Sequence, residues 1–329
     1  MNGPSDFKSA LADRMCAFLA YHRALGKRFG SEEDGLRTFD RYLLEQQVTT
    51  PEAVTPVMLE TFLTCRPRQG RGFNTLLSTL RRFFDWLVLH EVLKQSPLRV
   101  QRRFCPPPRP PFIFDQLQVH RLLEAVAQLR EGPHGYDRGP TYHLALAMMY
   151  GLGLRVGEVA RLCRQDVDLV RQLLIIRDTK FAKHRLVPFG PRMGARIETY
   201  LQHAEELGGP FRPEHPLLST SREKTRPLQS RAISHVFQKL MPQLNLTIPS
   251  GVEPPRAHHL RHSFAVGTLL RWYREGINPA ERLLHLSTFM GHVDPSSTAV
   301  YLTITADLLQ EASDRFERFA TPLLTEGRL

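Results

Sequence analysis

Six side chains of this 329-residue chain carry groups that together can handle a phosphodiester. Arg155 stands in GLGLRVGEVARL, Lys180 in DTKFAKHRLVP, His258 and Arg261 in HHLRHSF, His292 in FMGH and Tyr301 in TAVYL. A guanidinium grips two phosphate oxygens in a planar fork, and two such groups neutralise the charge that builds on phosphorus in a transition state. A tyrosine hydroxyl can attack phosphorus, while lysine and histidine can move the protons that the entering and leaving oxygens exchange. The chemistry implied is phosphoryl transfer through a phosphotyrosine link, which preserves the energy of the broken bond and permits rejoining without ATP. Plainer alternatives stand beside each residue. Arg155 can pair with Glu158, three residues on, and Glu158 can in turn orient the site; Lys180 can be a solvated turn lysine, Tyr301 core filler, and either histidine a satisfied core group.

These groups need elements to hold them. Glycines end the apolar stretch YHLALAMMYGLGL, so Arg155 follows a glycine-rich turn and VGEVARL continues as helix. The β-branched run LLIIRD, the turn TKFAKH and the segment RLVPF predict a β-hairpin with Lys180 at its tip. HPLLST predicts a further short strand, Ser230 a cap for the helix RAISHVFQKL, and RAHHLRHSFAVGTLLRW another helix. The C-terminal ADLLQEASDRFERFATPLL is amphipathic, and Phe114-Asp115 opens the helix QLQVHRLLEAVAQL. Upstream, ALADRMCAFLAYHRALGKRF, SEEDGLRTFDRYLLEQQ and TPVMLETFLTCR predict three helices, the last opened by Thr55-Pro56. A fourth begins near Asn74, with Leu76, Leu77, Leu80, Phe83, Phe84, Leu87 and Val88 at helical spacing and Arg71, Arg81 and Arg82 clustered nearby. Between the halves, FCPPPRPPF carries five prolines in nine residues, an extended linker. The boundaries are therefore 1–105 for a helical N-terminal domain, 106–112 for the linker and 113–329 for the domain that holds all six residues.

Both halves are basic. Sixteen Lys and Arg against eleven Asp and Glu over residues 1–105 leave +5 there, and the net +11 of the whole chain leaves +6 for the rest. A polyanion is the partner such charge favours, through release of condensed counterions, although the arginines of the fourth helix can equally be solvated surface charges. Cys16, Cys65, Cys105 and Cys163 form no C-x-x-C pair, which excludes a zinc ribbon or disulfide framework and fits reduced thiols. HHLRH has neither H-E-x-x-H form nor a cysteine cluster, so no metal or other cofactor is expected. Neither a signal peptide nor a membrane span is visible, so the expected location is the cytoplasm.

Read in order, these motifs resemble the signature of the tyrosine recombinases, the family of phage integrases and Xer-type recombinases. His258-x-x-Arg261 is followed by Ser263-Phe264-Ala265, then Gly291-His292, then Tyr301 nine residues after that histidine. Counting back three from Arg261 selects His258 over His259. The family pattern favours Lys180, eight residues before Pro188, but Phe181-Ala182 stand where many relatives place glycine, so Lys183 stays in contention. The stretch from Gly276 to His292 is longer than in Xer-type relatives and points to a mobile-element branch.

The resemblance implies a mainly α fold with a small β-sheet: an all-α, SAM-like core-binding domain and a mixed α+β catalytic domain that close on a duplex as a clamp. It implies site-specific DNA cleavage and rejoining through a 3′-phosphotyrosyl intermediate. Arg155 and Arg261 would clamp the phosphate, Tyr301 would attack, Lys180 would protonate the leaving 5′ oxygen, His258 would aid proton transfer and His292 would hydrogen-bond the phosphate. The implied partner is double-stranded DNA with paired sites, bound by a homotetramer that passes through a Holliday junction, alone or with other recombinases of the same element, and the C-terminal helix is available to dock on a neighbouring subunit. A type IB topoisomerase and a catalytically inactive architectural DNA binder are the alternative functions.

Overall fold

The computed structural model describes residues 7–26, 29–130, 137–177, 184–292, 294–303, 309–310 and 313. The chain divides into two compact units between Pro108 and Arg109, inside the proline-rich stretch. Unit one is built from helices α1 (Ala12–Ala24), α2 (Gly30–Glu45), α3 (Pro56–Thr64) and α4 (Gly70–Leu89). Thr55 caps α3, its hydroxyl accepting from the Met58 amide at 3.3 Å, ahead of Pro56, whose missing N–H costs nothing in a first turn. Helix α4 starts four residues earlier than its apolar periodicity predicts. The extra turn is held by Phe73, which is buried, with the Arg103 guanidinium 3.8 Å from its ring.

Helical spacing on α4 buries Phe73, Leu77, Leu80, Phe83, Phe84 and Leu87 on one face. That face meets Phe18 of α1, edge-on to Phe83 at 5.4 Å, and Phe39 of α2, edge-on to Phe84 at 6.0 Å. On the outer side, Arg82 pairs with Glu32 at 3.0 Å and Arg81 donates to the Val100 carbonyl at 3.2 Å. Asn74 grips the Arg103 backbone at both its N–H and C=O, each at 2.8 Å, and so ties the approach to the linker onto α4.

Unit two contains α5 (Gln116–Ala127), α6 (Arg138–Gly151), α7 (Val156–Val159), strands β1 (Val167–Asp168), β2 (Leu173–Ile176) and β3 (Arg185–Pro188), then α8 (Pro191–Gly208), α9 (Ser230–Leu240), α10 (His259–Arg274), α11 (Pro279–Met290) and α12 (Ser296–Ala299), followed by a 3₁₀ turn over Val300–Thr303. The fold class is that expected: helical, with one small antiparallel sheet ordered β1-β2-β3. Leu174 pairs with Val187 and Ile176 with Arg185, so the predicted hairpin arms are present, while the turn bearing Lys180 and Lys183 lies outside the described residues. Pro110 and the phenylalanines after it belong to this unit. Pro110 accepts from the Glu253 amide at 2.8 Å, and Phe112 and Phe114 are buried in its core.

Three local expectations change. HPLLST forms only bridges, Cys163 to Pro216 and Ser219 to Pro227, because Pro216 has no N–H to extend a ladder and Leu217 and Leu218 are drawn into the core. Helix α7 stops after one turn. Ser230 is the first helical residue of α9 rather than its cap; Gln229 holds that place without a side-chain bond. The amphipathic C-terminal stretch falls almost wholly outside the described residues, and among these residues no helix is long and apolar enough to cross a membrane.

Replacing Phe83 by Ala should destabilise unit one by about 3–5 kcal/mol, because a fully buried ring leaves a cavity that the surrounding rings cannot close. Urea unfolding followed by Trp86 fluorescence in a Trp272→Phe background checks this, since the chain has two tryptophans and the other lies in unit two.

Candidate active site

The last turn of α11 leaves carbonyl groups without helical donors, and three arginines from three different parts of the chain take them up. Arg185 of β3 donates from Nε to the Phe289 carbonyl at 3.0 Å. Arg261 of α10 donates to the Met290 carbonyl at 2.6 Å, and Arg155, just ahead of α7, to the Gly291 carbonyl at 2.8 Å. The negative end of a helix dipole thus faces three cations. Arg261 also donates to the Gly153 carbonyl. Gly153 and Gly291 both have positive φ, +59° and +69°, which aims these carbonyls inward and which a side chain would oppose. A Cβ on Gly153 would lie 2.4 Å from the Phe264 ring, and one on Gly291 2.7 Å from the Arg185 guanidinium.

One carboxylate answers the cluster. Glu158, 3% exposed, accepts from the Arg155 amide at 2.9 Å, from the Arg155 side chain at 2.7 Å and from both terminal nitrogens of Arg185 at 2.9 Å. Arg261 lies 4.0 Å away. Burial alone would raise the Glu158 carboxyl, but hydrogen bonds and charge from Arg185, followed by hydrogen bonds from Arg155, hold it at about 2. The Arg155–Glu158 pair therefore exists, and Arg155 is only half-buried, so its pairing does not remove it from the pocket surface. Burial, followed by repulsion from Arg155, pushes Arg261 down to about 9, which still leaves it a cation at neutral pH.

The remaining sequence candidates converge here. His258 sits at the N-cap of α10 and keeps solvent access; its surroundings, then Arg261, His259 and Arg155, push it down. His292, just past α11, shares a 2.6 Å hydrogen bond between Nδ1 and the Thr298 hydroxyl. The Tyr301 side chain is buried, its ring near-parallel to that of His292 at 6.4 Å and its hydroxyl 2.6 Å from His262 Nδ1. Burial raises the Tyr301 phenol, while the charges of Arg261 and Arg155 pull the other way. Lys180 and its competitor Lys183 lie outside the described residues. His259 points elsewhere, toward Glu253 at 3.5 Å.

Sequence reasoning passed over Arg185, His262 and Thr298. Strand alternation puts Arg185 on the same inward side as buried Val187, and an inward arginine demands an acid, which was a usable signal. His262 lies one helical turn from His258, so the shared face was legible; its contact with Tyr301 was not. The assembly can hold a tetrahedral anion between fixed cations, with neutral imidazoles and a phenol at its edge. Burial, and then neighbouring cations and imidazoles, push His262 down to about 3 and His292 to about 4.

The sequence model of the Phage integrase family matches residues 113–307. The putative integrase/recombinase y4rB of Sinorhizobium fredii is 31% identical over 318 residues, 95% of this chain and 98% of that protein. The tyrosine recombinase XerC of Listeria monocytogenes is 28% identical over 281 residues, covering 84% of this chain and 87% of its own. Among solved structures, the Tn1549 transposon integrase in complex with transposon right end DNA superposes with a TM-score of 0.61 at 16% identity, over 92% of this chain and 98% of that one.

Two outcomes follow from this geometry. Glu158→Gln removes the counter-charge of Arg185 and Arg261 and should cost about 3–5 kcal/mol of stability in urea unfolding. His262 and His292 titrate near 6.5 in an unfolded chain and lower in the fold, so the folded state binds fewer protons in between. Their contribution to stability is complete above pH 6.5 and is lost as pH falls toward about 4 and 3. Without DNA, the melting temperature should drop from pH 7 to about pH 5, and His292→Gln should flatten that drop in scanning calorimetry.

Proposed function

The chain belongs to the phage integrase family, the tyrosine recombinases, enzymes that cleave and rejoin DNA, and on that premise we propose that Tyr301 attacks the scissile phosphate held by Arg155 and Arg261. The observation that carries this is the buried Tyr301 ring lying near-parallel to His292 at 6.4 Å, next to the Gly291 and Met290 carbonyls that Arg155 and Arg261 grip. Attack forms a bond from Tyr301 Oη to phosphorus and breaks the bond to the 5′ oxygen, leaving a 3′-phosphotyrosyl link and a free 5′ hydroxyl. Lys180, or Lys183 in its place, protonates that leaving oxygen, and His258 assists proton transfer. With the Thr298 hydroxyl donating to Nδ1, the neutral His292 ring carries its proton on Nε2, free to donate to a phosphate oxygen. Arg155 and Arg261 keep fixed positions through Glu158 and the α11 carbonyls, so they stabilise the transition state without reorganising.

Residues 1–105 form the DNA-binding module and residues 113–329 the catalytic domain, joined by the proline-rich 106–112, whose last residues pack on the second unit. Positive charge on both supports this division of labour. The partner is duplex DNA bearing paired recombination sites, engaged by a homotetramer in the cytoplasm, with strands exchanged in two rounds. Likeness to y4rB and to the fold of a transposon integrase supports assignment to a mobile element.

Adduct capture tests the proposal: the protein is expressed beside the DNA that surrounds its gene, denatured, and protein-linked fragments are sequenced. Wild type should yield adducts at discrete positions and Tyr301→Phe none, with duplex binding in gel shift changed less than several-fold. Equal adducts from both proteins would show that another nucleophile acts, and dispersed adducts would indicate a topoisomerase. Adduct yield should be unchanged in EDTA, since side-chain cations supply the charge that a divalent ion would otherwise bring.

A further inference from the structure

The hydroxyl of Tyr301 lies 2.6 Å from Nδ1 of His262, with the ring centroids 5.3 Å apart and the planes inclined by 56°. That is a short hydrogen bond between the proposed nucleophile and a residue with no role in the mechanism above. His258 stands behind it, edge-on to the His262 ring at 4.7 Å, and Nδ1 of His292 is taken up by Thr298. We propose that His262 is the base that takes the phenolic proton of Tyr301 as its oxygen attacks phosphorus. The inference rests on Tyr301 being the nucleophile.

The step balances. The Tyr301 O–H proton moves to His262 Nδ1, the phenolic oxygen bonds to phosphorus, the bond from phosphorus to the 5′ oxygen breaks, and that oxygen receives its proton from the lysine. In rejoining, the incoming 5′ hydroxyl gives its proton back to the lysine and the departing phenolate recovers its own from His262. Geometry and charge both suit the role. His262 is confined by His258 and His259 from the first turn of α10, by adjacent Arg261, by His292 beyond α11 and by Tyr301 itself. Burial among these cations and imidazoles favours the neutral ring, and the tautomer with its proton on Nε2 presents the Nδ1 lone pair to the phenol 2.6 Å away. A phosphate entering the pocket adds negative charge and raises the basicity of His262 when a base is needed.

The test uses the full-length protein and a duplex carrying the core site from adduct capture, made with either an ordinary scissile phosphate or a 5′-bridging phosphorothiolate. A sulfur leaving group departs without a proton, so it rescues loss of the general acid but not loss of the base. His262→Asn keeps a hydrogen-bonding oxygen near the place of Nδ1 while removing its basicity. Single-turnover adduct formation by this variant should be slower by about 10²–10⁴-fold on both substrates, with the deficit narrowing as pH rises toward the range where the phenol ionises unaided. Lys180→Ala or Lys183→Ala, whichever removes the acid, should recover on the sulfur substrate. The inference is overturned if His262→Asn reacts at the wild-type rate, if it is slowed equally at every pH, or if sulfur restores it. Adducts formed by Tyr301→Phe would instead overturn the choice of nucleophile. Should melting show that His262→Asn does not fold, His262→Gln is judged by the same readouts.

Discussion

Three guanidinium groups cannot be gathered in a protein interior unless something negative meets them, and the catalytic unit is organised around that requirement. Arg155, Arg185 and Arg261 reach one place from a turn, a strand and a helix, and they share Glu158 and the final carbonyls of α11. Among the described residues, a carboxylate and a helix end satisfy them without neutralising the pocket: three cations against one full negative charge leave a surplus. A phosphate diester, with its single negative charge, would offset part of that surplus. The site is therefore a preformed anion receptor, rigid because its cations are already bonded, and receptive because their charge is only partly answered.

Burial, more than this surplus, sets the state of the surrounding groups. Burial first, and then neighbouring imidazoles and cations, favours neutral His262 and His292 rings, while burial keeps the Tyr301 phenol protonated against the pull of Arg261 and Arg155. Backbone geometry contributes as well. Gly153 and Gly291 direct carbonyls at the arginines through left-handed conformations, so the motif glycines belong to the electrostatic machinery and not only to the turns.

Much of this was legible beforehand because the relevant signals are local. Apolar residues at helical spacing announced α4, Thr55-Pro56 announced α3, and β-branched runs announced β2 and β3. Five of the six candidate residues converge at the pocket; the sixth, Lys180, lies outside the described residues. Where local reading failed, nonlocal packing had intervened. HPLLST has strand composition but no neighbour to ladder with beyond its bridges, and the first turn of α4 depends on Arg103 folding back over Phe73.

By itself the sequence determined the identity and order of the candidate groups, the helices and hairpin arms around most of them and the basic character of both halves, because these depend on residue type and short-range periodicity. Only the tertiary structure decided which partners they keep. Arg155 meets the Gly291 carbonyl 136 positions away, Arg261 meets Gly153 108 positions away, and His262 rather than His258 meets the Tyr301 hydroxyl. No periodicity encodes contacts at such separations. They are set by how α10, α11 and β3 pack, and packing is a property of the whole core rather than of any motif within it.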